Sequence, residues 1–424
     1  MDRFDKNFGV SQKGESSSEA SVNLGKFEVS EGNLTGRRES MARLDAFRQA
    51  SRREMPICEK YAYFDHAAVA PLPQAAGEAI QKWVGEAMWD GDVVWMQWAS
   101  QLTSCRELAA RLIAASTDEI ALIPNTTLGI HYIAAGIPWK PGDGVLAVAN
   151  EFPSNLLAWK QLSQIGVDVS IYQPESDGRI DLERLLAMVT PATKLVAVSW
   201  VGFSSGYRIN PGELAVELHR RGVLLLLDSI QGLGVFDLNV QRDGVDFAVA
   251  DGHKWMLGPE GAGVLYIRRE HLEWLRPVGV GWNSVRNSFT FSATELDWRE
   301  SAARYEGGSH SMVGFVGLSS SLAWMQRMRE AFGERIWEES VLDNTQWAVN
   351  ALREAGATVQ WPSRIEQQSG IVSFSWRDED PQMVRQRCLK DRVVLSCRLG
   401  RLRISPHGYN NRDDVERLIQ SLRK

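Results

Sequence analysis

A lysine set among apolar neighbours in a glycine-rich turn is the residue here best suited to covalent chemistry. It is Lys254, in Ala250-Asp251-Gly252-His253-Lys254-Trp255-Met256-Leu257-Gly258-Pro259. Trp255, Met256 and Leu257 make a desolvating setting. Desolvation lowers a lysine pKa, so that the neutral amine can attack a carbonyl. A surface lysine in a loop would fit the same residues. A second segment, Leu224-Leu225-Leu226-Leu227-Asp228-Ser229-Ile230-Gln231-Gly232, leads four leucines into an aspartate. In open α/β sheets ligands bind beyond the carboxyl ends of the strands. Asp228 could there hold its carboxylate against a protonated ring nitrogen; an aspartate at this point is also a common helix N-cap. The third segment is Pro124-Asn125-Thr126-Thr127-Leu128-Gly129-Ile130. Hydroxyls and backbone N–H groups at a strand-to-helix junction suit a phosphate, though Thr-Thr is an ordinary cap as well. The three segments together are more specific than any one of them.

These residues need a frame to bring them together. From about 60 to 320 the chain alternates short apolar runs with helix-like stretches. The runs are 120–123, 145–149, 167–172, 195–200, 223–227, 247–250 and 263–267, rich in Val, Ile and Leu as buried strands are. One intervening helix, over 212–221, is entered through Asn210-Pro211 and left at Gly222. The repetition predicts an α/β domain with a mostly parallel seven-stranded sheet. After about 320 the rhythm changes to a helical stretch over 317–355, strands near 370–376, 393–396 and 402–405, and a helix over 412–422. That predicts a smaller α+β domain over 321–424. Residues 1–41 are rich in Ser, Glu, Gly and Lys and read as a disordered tail, with the large domain spanning 42–320. Met41 stands as an alternative start.

Composition narrows the function. The 424 residues carry 47 Lys plus Arg against 53 Asp plus Glu, a net charge of −6, so nothing calls for nucleic acid or an anionic membrane as partner. Four scattered cysteines, Cys58, Cys105, Cys388 and Cys397, form no C-x-x-C pair. They argue against a zinc cage or a disulfide framework and suit a reducing compartment. With no run of about 18 apolar residues and no apolar leader region, the protein is expected in the cytoplasm.

With these segments in this order, the chain resembles the class V aminotransferase family of fold-type I enzymes, which use pyridoxal 5′-phosphate (PLP). The resemblance covers about residues 60–424. It implies that Lys254 of the G-H-K motif joins the cofactor as a Schiff base, with His253 beside it. Asp228 pairs with the ring nitrogen and Gln231 contacts the phenolic oxygen. Thr126 and Thr127 hold the phosphate. In Glu151-Phe152-Pro153-Ser154-Asn155, Phe152 takes the stacking position; an aromatic ring can stack but carries no protons. Tyr305-Glu306-Gly307-Gly308-Ser309 implies that the Ser309 hydroxyl reaches the phosphate of a neighbouring subunit, and so a homodimer. Arg401-Leu402-Arg403-Ile404-Ser405-Pro406-His407-Gly408-Tyr409-Asn410 implies that Arg403 clamps a substrate carboxylate, with Arg398 and Arg401 as nearby competitors. His66 is a further substrate-site candidate, and His66 and His310 are candidates for a second acid/base.

Three departures separate the chain from the cysteine desulfurases and selenocysteine lyases of that family. Asp251 stands where those enzymes bind phosphate with a serine. Phe203 replaces an asparagine in Val201-Gly202-Phe203-Ser204-Ser205-Gly206. The only cysteine near Arg403 is Cys397, inside a strand-like run. The expected activity is therefore Schiff-base and carbanion chemistry at the α-carbon of an amino acid, closest to the isopenicillin N epimerase-like branch. A desulfurase acting through Cys397 is the alternative, and a non-catalytic PLP-binding regulatory protein is the alternative of another class.

Overall fold

Continuous apolar runs, buried on both sides, build one large sheet with a core on each face. The computed structural model describes residues 31–291 and 294–424. Of the expected tail, residues 1–30 lie outside the described residues; residues 31–41 are helical, within α1 (Glu31–Arg53). The chain divides at Ala42, and Arg43–Lys424 packs as one unit. After α1 come β1 (Ala62–Tyr63), α2 (Gln74–Trp89) and α3 (Trp95–Leu112). Then follow β2 (Ile120–Ile123), α4 (Thr126–Gly136), β3 (Gly144–Val148), α5 (Ser154–Lys160), β4 (Asp168–Tyr172), α6 (Leu182–Ala187), β5 (Thr193–Ser199), α7 (Pro211–His219), β6 (Leu224–Asp228), β7 (Phe247–Asp251) and β8 (Gly263–Ile267). All seven predicted runs enter one sheet, in the order β2-β8-β7-β6-β5-β3-β4. Only β8 is reversed, pairing antiparallel with β7 and β2; the remaining pairs are parallel.

The four leucines of β6 show how the sheet is held. Leu225 and Leu227 enter one core and Leu224 and Leu226 the other, because successive side chains point to opposite faces. Covering both faces is what a parallel sheet requires. The helix after β5 starts as predicted: the Asn210 side chain accepts from Gly212 and Glu213 N–H, with Pro211 at the first position.

The C-terminal portion departs from the expectation in one respect. The predicted helix over 317–355 is two helices, α8 (Met312–Phe332) and α9 (Ile336–Glu354), separated at Gly333, whose φ of +108° cannot continue a helix. The domain boundary expected at 320 therefore falls inside α8. Beyond lie β9 (Thr358–Gln360), β10 (Val372–Ser375), α10 (Pro381–Lys390), β11 (Val393–Val394), β12 (Ser396–Arg398), β13 (Arg401–Ile404) and α11 (Arg412–Arg423). A four-stranded antiparallel sheet, β12-β13-β10-β9, buries its own core against α9, α10 and α11. β1 pairs with β11, and Asp65 with Ser405, which places the segment after β1 beside β13.

Candidate functional site

Strand β7 delivers Asp251 at its carboxyl end, and the chain turns at once through Gly252 and His253 to Lys254. The turn closes on itself: Leu257 N–H donates to Lys254 O (3.1 Å) and Gly258 N–H to Gly252 O (2.9 Å). A Cβ on Gly252 would meet Ala262 O at 2.7 Å, and one on Gly258 would meet Leu318 Cδ1 at 2.7 Å. Both glycines thus let the turn pack against α8 and β8. Leu257 is held at φ +57° and is fully buried, a conformation that the surrounding packing must maintain.

Lys254 is buried, and its Nζ lies 5.7 Å from the centre of the Phe152 ring. Burial lowers its pKa to about 8; Asp228 and Asp251 oppose the shift, and Arg403 and Arg398 add to it. Asp228 ends β6, the strand beside β7, and its Oδ1 accepts the Ile230 N–H at 3.1 Å. Burial raises its pKa to about 6, because its one backbone hydrogen bond and the Lys254 charge do not offset desolvation. A cationic ring nitrogen would supply the partner this carboxylate needs. Thr126 opens α4, and its hydroxyl accepts the Asp251 N–H (3.0 Å), which leaves its own proton free to donate. Thr127 is exposed, with its hydroxyl 2.7 Å from Ser154 Oγ. Phe152 is 46% exposed, a free aromatic face over the lysine. A desolvated amine, an open ring face, an under-paired carboxylate and hydroxyls at a helix N-terminus fit PLP. Lys254 would hold its carbonyl, Asp228 its ring nitrogen, and Thr126 and Thr127 its phosphate.

Gln231 is locked at both ends. Its Oε1 accepts from Trp255 Nε1 (2.9 Å) and its Nε2 donates to Ala67 O (3.0 Å), leaving one amide proton. The indole therefore fixes which end of the amide is the donor. Trp255 is buried and stacks on His407, whose Nε2 lies 3.2 Å from Trp255 O. Trp255→Phe keeps a ring but leaves Gln231 Oε1 buried and unpaired. Urea unfolding is expected to show a loss of about 1–3 kcal/mol; a loss under about 0.5 kcal/mol would mean that the bond contributes nothing.

Several expected residues take other parts. His66 is fully buried; its Nδ1 lies 2.7 Å from Ser405 O, and its Nε2 lies 2.5 Å from Tyr409 Oη. Both of its ring nitrogens are engaged within the protein. His310 Nε2 is held at 2.6 Å by Glu306, which also pairs with Arg106 and accepts the Leu122 N–H. His253 Nδ1 lies 3.1 Å from Asp251 Oδ2, an ion-pair contact without hydrogen-bond geometry, and Asp251 Oδ1 is buried without a partner. His253 thus faces Asp251, the residue that replaces the serine. Ser309 is exposed, and among the described residues no hydrogen bond ties it to the others. Arg403 is buried, with NH2 at 3.1 Å from Asp65 Oδ1, NH1 donating to Phe203 O (2.7 Å) and Nε to Ser396 Oγ (3.2 Å). Three of its five N–H groups are engaged and two remain.

Two contributors escaped the sequence reading. Asp65, two positions after β1, reaches Arg403 only because β1 and β13 are brought together across more than three hundred residues. Glu151, beside the stacking Phe152, accepts the Ser199 N–H (2.7 Å) and the Ser199 hydroxyl. Ser199 is the register partner of Asp228, so Glu151 pins the strand end next to the key carboxylate. Burial raises Glu151 to about 7. Its segment was visible as a motif, but the motif gave it no task.

A buried lysine facing an aromatic ring, with a carboxylate at the next strand end of a seven-stranded sheet, is the arrangement by which fold-type I PLP-dependent enzymes hold their cofactor. The chain belongs to the class-V aminotransferases, whose family model matches residues 62–418. It is 28% identical over 396 residues to a probable cysteine desulfurase of Methanothermobacter thermautotrophicus, covering 88% of this chain and 96% of that one. It is 23% identical to the uncharacterized aminotransferase YcbU of Bacillus subtilis, over 88% and 96% of the two chains. Among solved structures, the apo cysteine desulfurase of Thermococcus onnurineus aligns with a TM-score of 0.78 at 23% identity, covering 88% of this chain and 96% of the other. A mutant of C-DES with glycine covalently linked to its PLP cofactor aligns at 0.81 and 22%, covering 88% and 98%. At such identities the structural likeness speaks for the fold. The chain is a PLP-dependent enzyme of this class, as its sequence implied.

Proposed function

We propose that this enzyme removes the α-proton of an amino acid held in the PLP site beside Lys254 and completes its reaction without a protein thiol, as an isopenicillin N epimerase-like member of the class. Bound PLP withdraws electrons from the α-carbon of an amino acid attached to it. The chain's residues do the rest. Lys254, with its lowered pKa, takes the α-proton as a neutral amine. Asp228 keeps a proton on the ring nitrogen. Arg403 turns its remaining N–H groups to the substrate carboxylate, while Asp65 fixes the guanidinium. Phe152 offers its open ring face for stacking.

The observation that carries the thiol-free reading is the direction of Cys397. In β12 it alternates with Ser396 and Arg398, and it pairs with Leu402 on the face that packs into the small core. Its Sγ lies against Pro381 O at 3.1 Å, and burial raises the thiol pKa. Arg403 projects from the opposite face, so Cys397 points away from the substrate. Cys397→Ala is therefore expected to leave any sulfide or alanine release from cysteine unchanged within about twofold. Loss of that release on mutation would restore the desulfurase reading.

The same proposal includes a homodimer. Ser309 is exposed, and apolar side chains stand in water at Trp89, Val93 and Met96 and in the contacting group Trp282, Phe289 and Phe291. Exposed apolar patches of this kind mark association surfaces. Sedimentation at micromolar concentration tests it. Among the described residues no helix is long and apolar enough to cross a membrane. The four cysteines are free thiols, which supports a reducing, cytoplasmic setting.

A further inference from the structure

Three arginines share one face of the small sheet. β12 and β13 pair with Ser396 opposite Arg403 and Arg398 opposite Arg401. Residues two apart on a strand face the same way. Arg398, Ser396, Arg401 and Arg403 thus project together, while Cys397, Leu402 and Ile404 face the small core.

Two of the three guanidinium groups have partners across the sheet or beyond it. Arg403 is held by Asp65, Ser396 and Phe203 O. Arg401 reaches Ser373 Oγ (3.1 Å) and Thr358 O (3.3 Å) on the neighbouring strands. Arg398 is half-buried and, among the described residues, its side chain donates only to Cys397 O, the carbonyl before it, at 2.8 Å. Among the described residues no carboxylate forms an ion pair with it. Two arginines directly opposite on paired strands repel, and a half-buried cation without a counter-charge is unfavourable. Arg398 and Arg403 share this face of the paired strands β12 and β13, so the cation stands beside the guanidinium that takes the α-carboxylate.

We propose that Arg398 is a second anion subsite, which receives a distal carboxylate of the substrate. The substrate class is then an amino acid with two acid groups, the α-carboxylate on Arg403 and the side-chain carboxylate on Arg398. A guanidinium fork takes a carboxylate through two parallel hydrogen bonds, and the side-chain anion relieves the unpaired charge. A neutral side chain would leave it unrelieved, and that difference is the source of selectivity. The proposal rests on the reading of Lys254 as the centre at which the amino acid is bound.

The test is an equilibrium titration of the PLP-loaded full chain, followed by cofactor absorbance. The probes are L-aspartate and L-glutamate against L-alanine and L-norvaline. The wild-type protein is expected to bind one acidic amino acid at least about 10-fold tighter than either neutral one. Arg398→Gln should raise that Kd about 10- to 100-fold, the weight of a charge-assisted pair, and move the neutral Kd values less than twofold. Arg398→Lys should recover part of the loss. Equal wild-type affinity for acidic and neutral amino acids would overturn the proposal alone. So would an Arg398→Gln variant that weakens both groups equally, or neither. A wild-type band that responds to no amino acid would instead overturn the Lys254 reading, and this inference with it.

Discussion

Lys254→Ala is expected to abolish covalent capture of PLP and to slow α-proton exchange with deuterated water by up to about 10⁴-fold. Two properties of one side chain lie behind this. Its position at the end of the β7 turn faces Phe152, where the amine would meet the carbonyl of a bound PLP. Its burial lowers the pKa to about 8, so at pH 7 about a tenth of the amines are neutral, against fewer than one in a thousand for an ordinary lysine. Only the neutral amine attacks a carbonyl. PLP uptake by unloaded protein should therefore rise close to tenfold per unit as pH increases toward 8, then level off above it. Stopped-flow absorbance measures both. A covalent band in Lys254→Ala, or uptake still climbing steeply at pH 9 to 10, would show that the reacting amine is another lysine or is not desolvated.

Asp228→Asn should give a different phenotype. The variant is expected to retain covalently bound PLP while α-proton exchange falls about 10²- to 10³-fold, the range for removing one preorganised electrostatic group. Asparagine fills the same space at the end of β6 and can still accept the Ile230 N–H. It carries no charge to hold a proton on the ring nitrogen, and an unprotonated ring is a poorer acceptor for the electrons left on the α-carbon. The neighbouring Glu151 cannot substitute, because Ser199 holds its carboxylate at the end of β5. Proton exchange by NMR, set beside the absorbance of the bound cofactor, separates the two variants: Lys254→Ala loses both, Asp228→Asn the first. Undiminished exchange in Asp228→Asn would remove Asp228 from the chemistry.

The sequence determined the large sheet and the cofactor, for a reason that is local. Apolar runs of strand length specify which residues can be buried on both faces, and all seven joined one sheet. The proposed cofactor contacts Asp228, Lys254 and Thr126 sit at or next to strand ends, so placing the strands placed them. What alternation or a single motif could not decide was settled by packing. The reach of Asp65 to Arg403 depends on β1 lying beside β11 and Asp65 beside Ser405, and pairing across such a distance leaves no periodic trace. The histidine surroundings depended on partners: His66 and His310 are ordinary candidates by type, and only the carbonyl, hydroxyl and carboxylate atoms near them show that both ring nitrogens of His66 and Nε2 of His310 are engaged. Cys397 and Arg398 are adjacent in sequence and would look equally near to Arg403. The pleat sends one into the core and the other to the face that carries Arg403, and no composition could tell them apart without the register of β12 against β13.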